Sequence, residues 1–221
     1  MQKKNLQNLY ISLVFLLGFI LWTVLIKSID VDQIGPNGSA VGFSAVNYWF
    51  HKLTGVHMWI YVVTDWLSLI PVAVSFGFAV LGLCQWICRK NILKVDFSIL
   101  ALGVFYIATF AAYLLFEMYP INYRPVLING YLEASYPSST TLLVICIMPT
   151  AIMQFDSRVK NKNFKKAISS ILSAFSAFMV IGRLLSGVHW LTDIIGSVLL
   201  SVGLVLMYDF VVGIKKQHPL L

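Results

Sequence analysis

Six long apolar segments alternate with short polar stretches along this chain. A helix needs about 20 residues to cross the roughly 30 Å hydrocarbon core of a bilayer, and each segment meets or approaches that length. We therefore predict an all-α, polytopic membrane protein: a six-transmembrane-helix bundle that forms a single domain over residues 1–221. The predicted spans are 9–27, 58–84, 96–117, 138–155, 167–185 and 190–214.

The first apolar segment follows Lys3 and Lys4 and lacks a small-residue cleavage site. We therefore expect a retained signal anchor rather than a removed signal peptide. The second and sixth segments exceed a minimal span, so we expect each to tilt or to begin outside the hydrocarbon.

A short amphipathic segment follows the first span. A turn signal at 35–39 precedes Phe43, Val46, Phe50 and Leu53, which recur at helical spacing. We predict a short outer interfacial helix here. Two roles remain open for it: a structural collar anchored by interfacial aromatic residues, which we favour, or a lip that guides a lipid headgroup to a site.

The composition supports a membrane protein, since 59% of the residues are hydrophobic and 11% are charged, with a mean hydropathy of +0.83. Soluble domains carry about 25% charged residues, so the soluble, disordered and fibrous classes are excluded. The net charge of +7 accompanies no basic stripe with interleaved aromatic residues, and we expect no nucleic-acid partner. Cys84, Cys88 and Cys146 lack the partners of a zinc site, and we expect them to be core residues.

Lysine and arginine are divided unevenly between alternate loops, and membrane proteins keep such residues in the cytoplasm. Of the 16 cations, four lie on one side, at Lys27, Lys52, Arg124 and Arg183. This division predicts that both termini are cytoplasmic. The other 12 are Lys3, Lys4, Arg89, Lys90, Lys94, Arg158, Lys160, Lys162, Lys165, Lys166, Lys215 and Lys216.

Polar residues cluster in three segments that the predicted topology brings to the outer ends of the spans. They follow the third span, open the fourth, and lie between the fifth and the sixth. Arginines, hydroxyl groups at a helix N-terminus and an imidazole near a carboxylate suit an anionic phosphate centre. The candidate residues are Arg124, Ser138, Ser139, Thr140, Thr141, Arg183, His189 and Asp193.

His189 and Asp193 share one helix face if the sixth helix begins near Val188. Asp193 could then fix one tautomer of the imidazole and leave the other ring nitrogen free to attack phosphorus. An interfacial polar pair is the alternative for these two residues. Arg183 could similarly extend to lipid headgroups instead of binding a substrate.

These segments resemble, in order and spacing, the motifs of the type-2 phosphatidic acid phosphatase superfamily of integral membrane lipid phosphatases: K-x6-R-P, P-S-G-H and S-R-x5-H-x3-D. The resemblance covers the six-helix layout from about 9 to 214, and Arg183, His189 and Asp193 reproduce the spacing of the third motif. It implies that Arg124 and Arg183 hold the phosphoryl oxygens, that His189 forms a phosphohistidine oriented by Asp193, and that neither metal nor other cofactor takes part.

The second motif matches at Ser138, while Ser139 replaces its glycine but keeps a backbone N–H that could face a phosphate. Three other positions depart from the family pattern. Thr140 replaces the general-acid histidine, Glu117 replaces the lysine, and Gly182 replaces the serine. A threonine hydroxyl is too weak an acid for the histidine's part, and a glutamate removes a cation from an anion site.

The resemblance therefore implies an enzyme that hydrolyses a lipid-linked phosphate or diphosphate at the outer face of a membrane, expected to be a bacterial plasma membrane. Because a diphosphate needs less proton donation than a monoester, a polyprenyl diphosphate is the favoured substrate. Glu133, Tyr136 or His51 could supply a proton instead. The alternatives are a non-catalytic lipid-phosphate binding or transport protein and a lipid phosphotransferase.

Overall fold

The computed structural model describes residues 2–217, and the side chains of residues 3–215. The chain is α-helical, with isolated β-bridges in the loops of the described part. The helices are α1 (Gln2–Ser28), α2 (Ser44–Thr54), α3 (Met58–Leu67), α4 (Leu69–Arg89), α5 (Phe97–Met118), α6 (Ser139–Arg158), α7 (Lys162–Leu185) and α8 (Leu191–Gln217).

Six helical stretches in the described residues are long and apolar enough to cross a membrane. This confirms the predicted all-α fold and its six spans. The second stretch, Met58–Arg89, is interrupted between α3 and α4. Pro71 explains the interruption because proline has no N–H and cannot donate the helical hydrogen bond to the carbonyl of Leu67. At the break, the Ser68 hydroxyl donates to the Asp65 carbonyl at 2.5 Å.

The centre of the bundle is α6, which packs against α4, α5, α7 and α8. Its buried face includes Leu142, Val144, Ile147 and Met148. In a span that is surrounded by other helices, van der Waals packing rather than exclusion from water holds the helices together. The N-terminal end of this central helix therefore has a fixed position relative to its neighbours.

Successive spans run in opposite directions. We call the end that carries the α1–α3, α5–α6 and α7–α8 connections the site face, and the other end the opposite face. The four cations of the smaller group all belong to the site face. Which face is cytoplasmic stays a prediction, and Met1, residues 218–221 and the side chain of Lys216 lie outside the described part.

The predicted interfacial helix is present as α2. Val46 and Leu53 are exposed, whereas Asn47 is buried and donates to the Gly42 carbonyl at 2.8 Å and to Thr192 Oγ1 at 2.9 Å. The second of these bonds fastens α2 to the start of α8. The Asp30 carboxylate accepts a hydrogen bond from a backbone N–H in the first turn of α2.

The prediction that all three cysteines are core residues is correct for Cys146 and wrong for Cys84 and Cys88. Cys84 and Cys88 are four residues apart and therefore share one face of α4. Both side chains are exposed on the outside of the bundle. An apolar neighbourhood in the sequence does not distinguish a face that contacts lipid from one that contacts other helices.

Candidate functional site

The three predicted polar segments meet at the site face. The connection between α5 and α6 folds back on itself, with the Arg124 N–H donating to the Glu133 carbonyl at 3.1 Å and the Ser135 N–H donating to the Asn122 carbonyl at 2.9 Å. The turn before α8 lies against it, since Trp190 Nε1 donates to the Tyr123 carbonyl at 2.7 Å. These bonds bring the two loops into one site.

His189 is 3% exposed. Its Nδ1 lies 3.1 Å from the carbonyl oxygen of Ser135 and 3.1 Å from Ser135 Oγ. Its Nε2 lies 3.5 Å from Nη1 of Arg124. With the proton on Nδ1 donated to the carbonyl, Nε2 carries the free lone pair and faces the arginine.

The relation between His189 and Asp193 differs from the expected one. Helix α8 begins at Leu191 rather than near Val188, so His189 lies in the preceding turn. The His189 Nδ1 to Asp193 Oδ2 distance is 3.8 Å, too long for a hydrogen bond. The hydroxyl of Ser135 lies between them, because it contacts Nδ1 and also donates to Asp193 Oδ2.

Asp193 is fully buried. Besides the hydroxyl of Ser135, its carboxylate accepts the N–H of Trp190 at 2.9 Å and Nδ2 of Asn122 at 3.4 Å. A buried carboxylate is costly unless such donors surround it. This carboxylate therefore holds the His189 turn to the α5–α6 loop.

The electrostatics of the site favour a neutral imidazole at His189. Burial lowers the pKa of His189 well below its ordinary value, and the positive charges of Arg124 and Arg183 lower it further. A neutral ring is the form that can act as a nucleophile.

The side chain of Arg183 is 2% exposed. Its Nη2 donates to Asp65 Oδ1 at 2.7 Å and to Thr140 Oγ1 at 2.5 Å, and the ring of Tyr61 lies 4.8 Å from its Cζ. Its Nε and Nη1 are buried and find no acceptor among the described residues. Such unsatisfied charged donors are suited to bind an anion.

Arg124 is the second cation of the site. Its Nε lies 3.1 Å from Glu133 Oε2, an ion pair whose alignment is too poor for a hydrogen bond. Its Cζ is 5.6 Å from the ring of Tyr61, which therefore lies beside both arginines.

The hydroxyl segment behaves as predicted at the start of α6, which begins at Ser139 with Ser138 as its N-cap. Ser138 is buried, and within the described part of the chain neither its Oγ nor Oγ1 of Thr141 has a hydrogen-bond partner. Ser139 and His189 line one small cavity. The N-terminus of α6 therefore lies next to the imidazole at Ser139.

The four auxiliary candidates fall in different places. Glu117 and Tyr136 both line the small cavity with His189, whereas Glu133 is paired with Arg124. The hydroxyl of Tyr136 lies 2.7 Å from Thr23 Oγ1, and burial raises the pKa of Tyr136.

His51 packs its ring 5.5 Å from that of Trp190. Burial lowers the pKa of His51, so its ring is neutral at pH 7. A histidine that donates a proton at neutral pH must be charged, so His51 is not suited to that role.

Three residues of the site were missed from the sequence: Asp65, Asn122 and Ser135. Asp65 carried a signal, because a carboxylate inside an apolar segment is expensive and usually functional. Asn122 and Ser135 carried none, since neither belongs to a motif and both act through loop geometry.

The turn that carries His189 is fixed to the end of α2. Gly187 has a φ of +69°, and a Cβ there would lie 2.0 Å from the carbonyl oxygen of Gly55. The N–H of His57 also donates to the Ser186 carbonyl at 2.9 Å. Glycine at 187 therefore permits both the left-handed backbone and the close contact.

Comparisons with known proteins identify the family and the fold of this chain. The sequence profile of the PAP2 superfamily matches residues 102–213. A solved structure, the first transmembrane PAP2 type phosphatidylglycerolphosphate phosphatase from Bacillus subtilis, superposes with a TM-score of 0.56 at 18% identity, over 95% of this chain and 98% of that chain. At this identity the likeness establishes the fold alone. No curated protein sequence matches the chain significantly.

Proposed function

This chain belongs to the PAP2 superfamily, and from that premise we propose that it is a membrane lipid phosphatase in which His189 attacks a lipid-linked phosphate or diphosphate. One observation carries the proposal. The buried imidazole has Nδ1 engaged by Ser135, while its Nε2 lies 3.5 Å from an arginine whose neighbour Arg183 has free buried donors.

In the proposed reaction, Arg124 and Arg183 bind the non-bridging oxygens of the phosphoryl group. The Nε2 of His189 forms a bond to phosphorus as the bond to the leaving-group oxygen breaks. The departing oxygen takes a proton when its basicity demands one. Water then attacks the phosphohistidine, which releases inorganic phosphate and restores the neutral imidazole.

Release of phosphate by the purified protein in detergent tests this function. The panel comprises a prenyl diphosphate, a prenyl monophosphate, phosphatidate and phosphatidylglycerophosphate, with His189→Ala as the blank. We expect release from at least one substrate and radiolabelled phosphate trapped on His189. Release from none would favour a non-catalytic lipid-phosphate binder, and transfer of the label to an added lipid or sugar would indicate a phosphotransferase.

The surroundings of Thr140 support a diphosphate substrate. Its hydroxyl contacts Arg183 Nη2 at 2.5 Å, so it helps to hold the arginine but is a poor acid. Tyr136 and His51 have pKa shifts that disfavour proton donation at pH 7. A diphosphate expels a phosphate monoester, a stable anion, whereas a monoester expels an alkoxide and loses about 10²–10⁴ in rate without an acid.

Thr140→His tests this preference. We expect turnover of the prenyl monophosphate to rise much more than turnover of the prenyl diphosphate. If the wild-type protein already cleaves phosphatidate as fast as a prenyl diphosphate, the leaving-group argument fails and Glu133 becomes the donor to examine.

The same proposal assigns the site face to the outside of a bacterial plasma membrane. The division of 12 cations against four supports it. A cysteine introduced at Ser39 should react with an impermeant thiol reagent on intact cells, and one at Lys162 only after permeabilisation, in a background without the native cysteines. The reverse pattern would contradict this orientation.

A further inference from the structure

Asp65 lies in the last turn of α3, just before the break in the second span. Its side chain is 54% exposed, whereas that of its partner Arg183 is 2% exposed. A carboxylate on another span therefore faces one nitrogen of an otherwise buried guanidinium, within the proposed phosphate site.

Gly182 explains how Asp65 reaches this position. A Cβ at Gly182 would lie 2.8 Å from Cγ2 of Thr64. The Thr64 side chain cannot easily rotate away, because its hydroxyl donates to the carbonyls of Ile60 and Tyr61 at 2.8 and 3.0 Å. The absence of a side chain at position 182 therefore allows α3 and α7 to lie close together at this point. The family's serine would push α3, and Asp65 with it, away from Arg183.

Arg183 does not depend on Asp65 for its position. Its Nη2 also contacts Thr140 Oγ1, its Cζ lies over the ring of Tyr61, and the side chain is almost fully buried. The main contribution of Asp65 is thus a negative charge next to the arginine. A charge of that sign opposes any phosphate that binds the same guanidinium.

Building on the proposed function, we propose that Asp65 regulates phosphate affinity at this site: it is a fixed counter-ion, admitted by Gly182, that weakens phosphate binding at Arg183 and so speeds release of the inorganic phosphate product. The counter-ion lowers the affinity for both lipid-linked and inorganic phosphate. A lipid phosphate recovers the lost binding free energy through the partitioning of its chain into the bilayer. Inorganic phosphate has no chain and so has no such contribution. Inorganic phosphate, the product, therefore leaves readily.

Binding of inorganic phosphate to the purified full chain in detergent tests this proposal. Isothermal titration measures it without turnover, and product inhibition measures it with turnover. Asp65→Asn keeps an oxygen acceptor for Nη2 and removes only the charge. We expect it to bind inorganic phosphate about three- to tenfold more tightly, a modest gain because the Asp65 side chain is 54% exposed and solvent screens its charge. The matched control Asp96→Asn removes a carboxylate paired with arginines at the opposite face, and we expect no change.

Gly182→Ala provides a second variant that keeps Asp65 and introduces no hydroxyl. By separating α3 from α7 it should tighten phosphate binding in the same direction, and it should add nothing in the Asp65→Asn background. Unchanged or weaker phosphate binding by Asp65→Asn would overturn the proposal. If Asp65→Asn does not fold, unchanged or weaker binding by Gly182→Ala would do the same.

The test separates this proposal from the proposed function. A wild-type protein that cleaves no lipid phosphate, combined with tighter phosphate binding by Asp65→Asn, would refute the phosphatase and support the counter-ion. Active wild-type protein with unaltered phosphate binding in Asp65→Asn would refute the counter-ion alone.

Discussion

The two faces of the bundle carry the same kind of contact with opposite consequences. At the opposite face, Asp96 accepts hydrogen bonds from Arg89 at 2.8 Å and Arg158 at 3.0 Å, and the side chains of these arginines are 41% and 27% exposed. At the site face, Asp65 accepts from Arg183, whose side chain is 2% exposed. Exposure of the arginine, not the presence of a carboxylate, distinguishes the two clusters.

This difference shows which ion pair is suited to function. The guanidinium groups at the opposite face can satisfy their spare donors with water, so the cluster serves to join helices. Arg183 is buried with Nε and Nη1 unpaired within the described part, a state that costs free energy unless an anion arrives. An arginine left unsatisfied inside a bundle therefore indicates a ligand more strongly than a salt bridge does.

Replacement of the buried and the exposed arginine by lysine should give the largest contrast. We expect Arg183→Lys to lower kcat/KM for the lipid substrate about 10²–10³-fold, because an ammonium cannot bind Thr140 and a phosphoryl group in the same geometry. Arg158→Lys should stay within about twofold of wild type. Equal losses in the two variants, measured by phosphate release, would contradict the distinction.

Ser135→Ala tests the hydroxyl that joins His189 to Asp193. We expect kcat to fall about 10–100-fold, since a hydrogen bond to a buried carboxylate is worth about 1.5–3 kcal/mol. The backbone carbonyl of Ser135 still holds Nδ1, so activity should not vanish. Ser98→Ala, at the opposite face, is the matched control and should turn over at the wild-type rate. A Ser135→Ala rate within twofold of wild type would remove the hydroxyl from the mechanism.

The pH profile should reflect the buried imidazole. Because the pKa of His189 is lowered, the proposed nucleophile stays neutral as the pH falls through 6.5 and becomes protonated only at lower pH. We expect kcat/KM to change by less than about twofold between pH 7.5 and 5.5. An imidazole with an ordinary pKa would be only about one tenth neutral at pH 5.5. A half-maximal rate at or above pH 6.5 would contradict this expectation.

Asp96→Asn should have the smallest effect. Burial raises the pKa of Asp96, but hydrogen bonds from Arg89 and Gln85 outweigh it and leave the pKa below its usual value. The carboxylate therefore stabilises the fold above about pH 4 and loses this contribution as the pH falls through the lowered pKa. Since the pair is exposed, we expect at most about 1 kcal/mol at pH 7, visible as a small drop in Tm. A loss of phosphatase activity in this variant would contradict the distinction between a structural cluster at the opposite face and a functional one at the site face.

Much of the fold could be predicted because the length and apolar character of a span are properties of contiguous sequence. The break between α3 and α4 was not anticipated, although Pro71 signalled it. The exposed positions of Cys84 and Cys88 were mispredicted because lipid accepts the same apolar side chains as a protein core. The spacing of apolar residues along a span therefore does not tell its lipid-facing side from its buried side.

The site was predictable where its residues share a motif and obscure where they act through distant packing. His189, Arg124 and Arg183 were brought together as expected. Ser135 could not be foreseen, since its role depends on the fold of the α5–α6 loop. Asp65 lies on a different span from Arg183, and their contact depends on a glycine at 182, whose meaning becomes evident only when the helices are packed.

The contact of Gly187 with Gly55 joins the turn that carries His189, the proposed nucleophile, to α2. That helix exposes Trp49 and Leu53, and an amphipathic helix of this kind lies in the plane of the lipid–water boundary. The height of His189 relative to the hydrocarbon is then set by how deeply α2 sinks into the lipid. If His189 is the nucleophile, bilayer thickness and headgroup packing would then change the rate of phosphate release without any bound effector. A change of detergent should alter that rate by the same route, through the depth of α2.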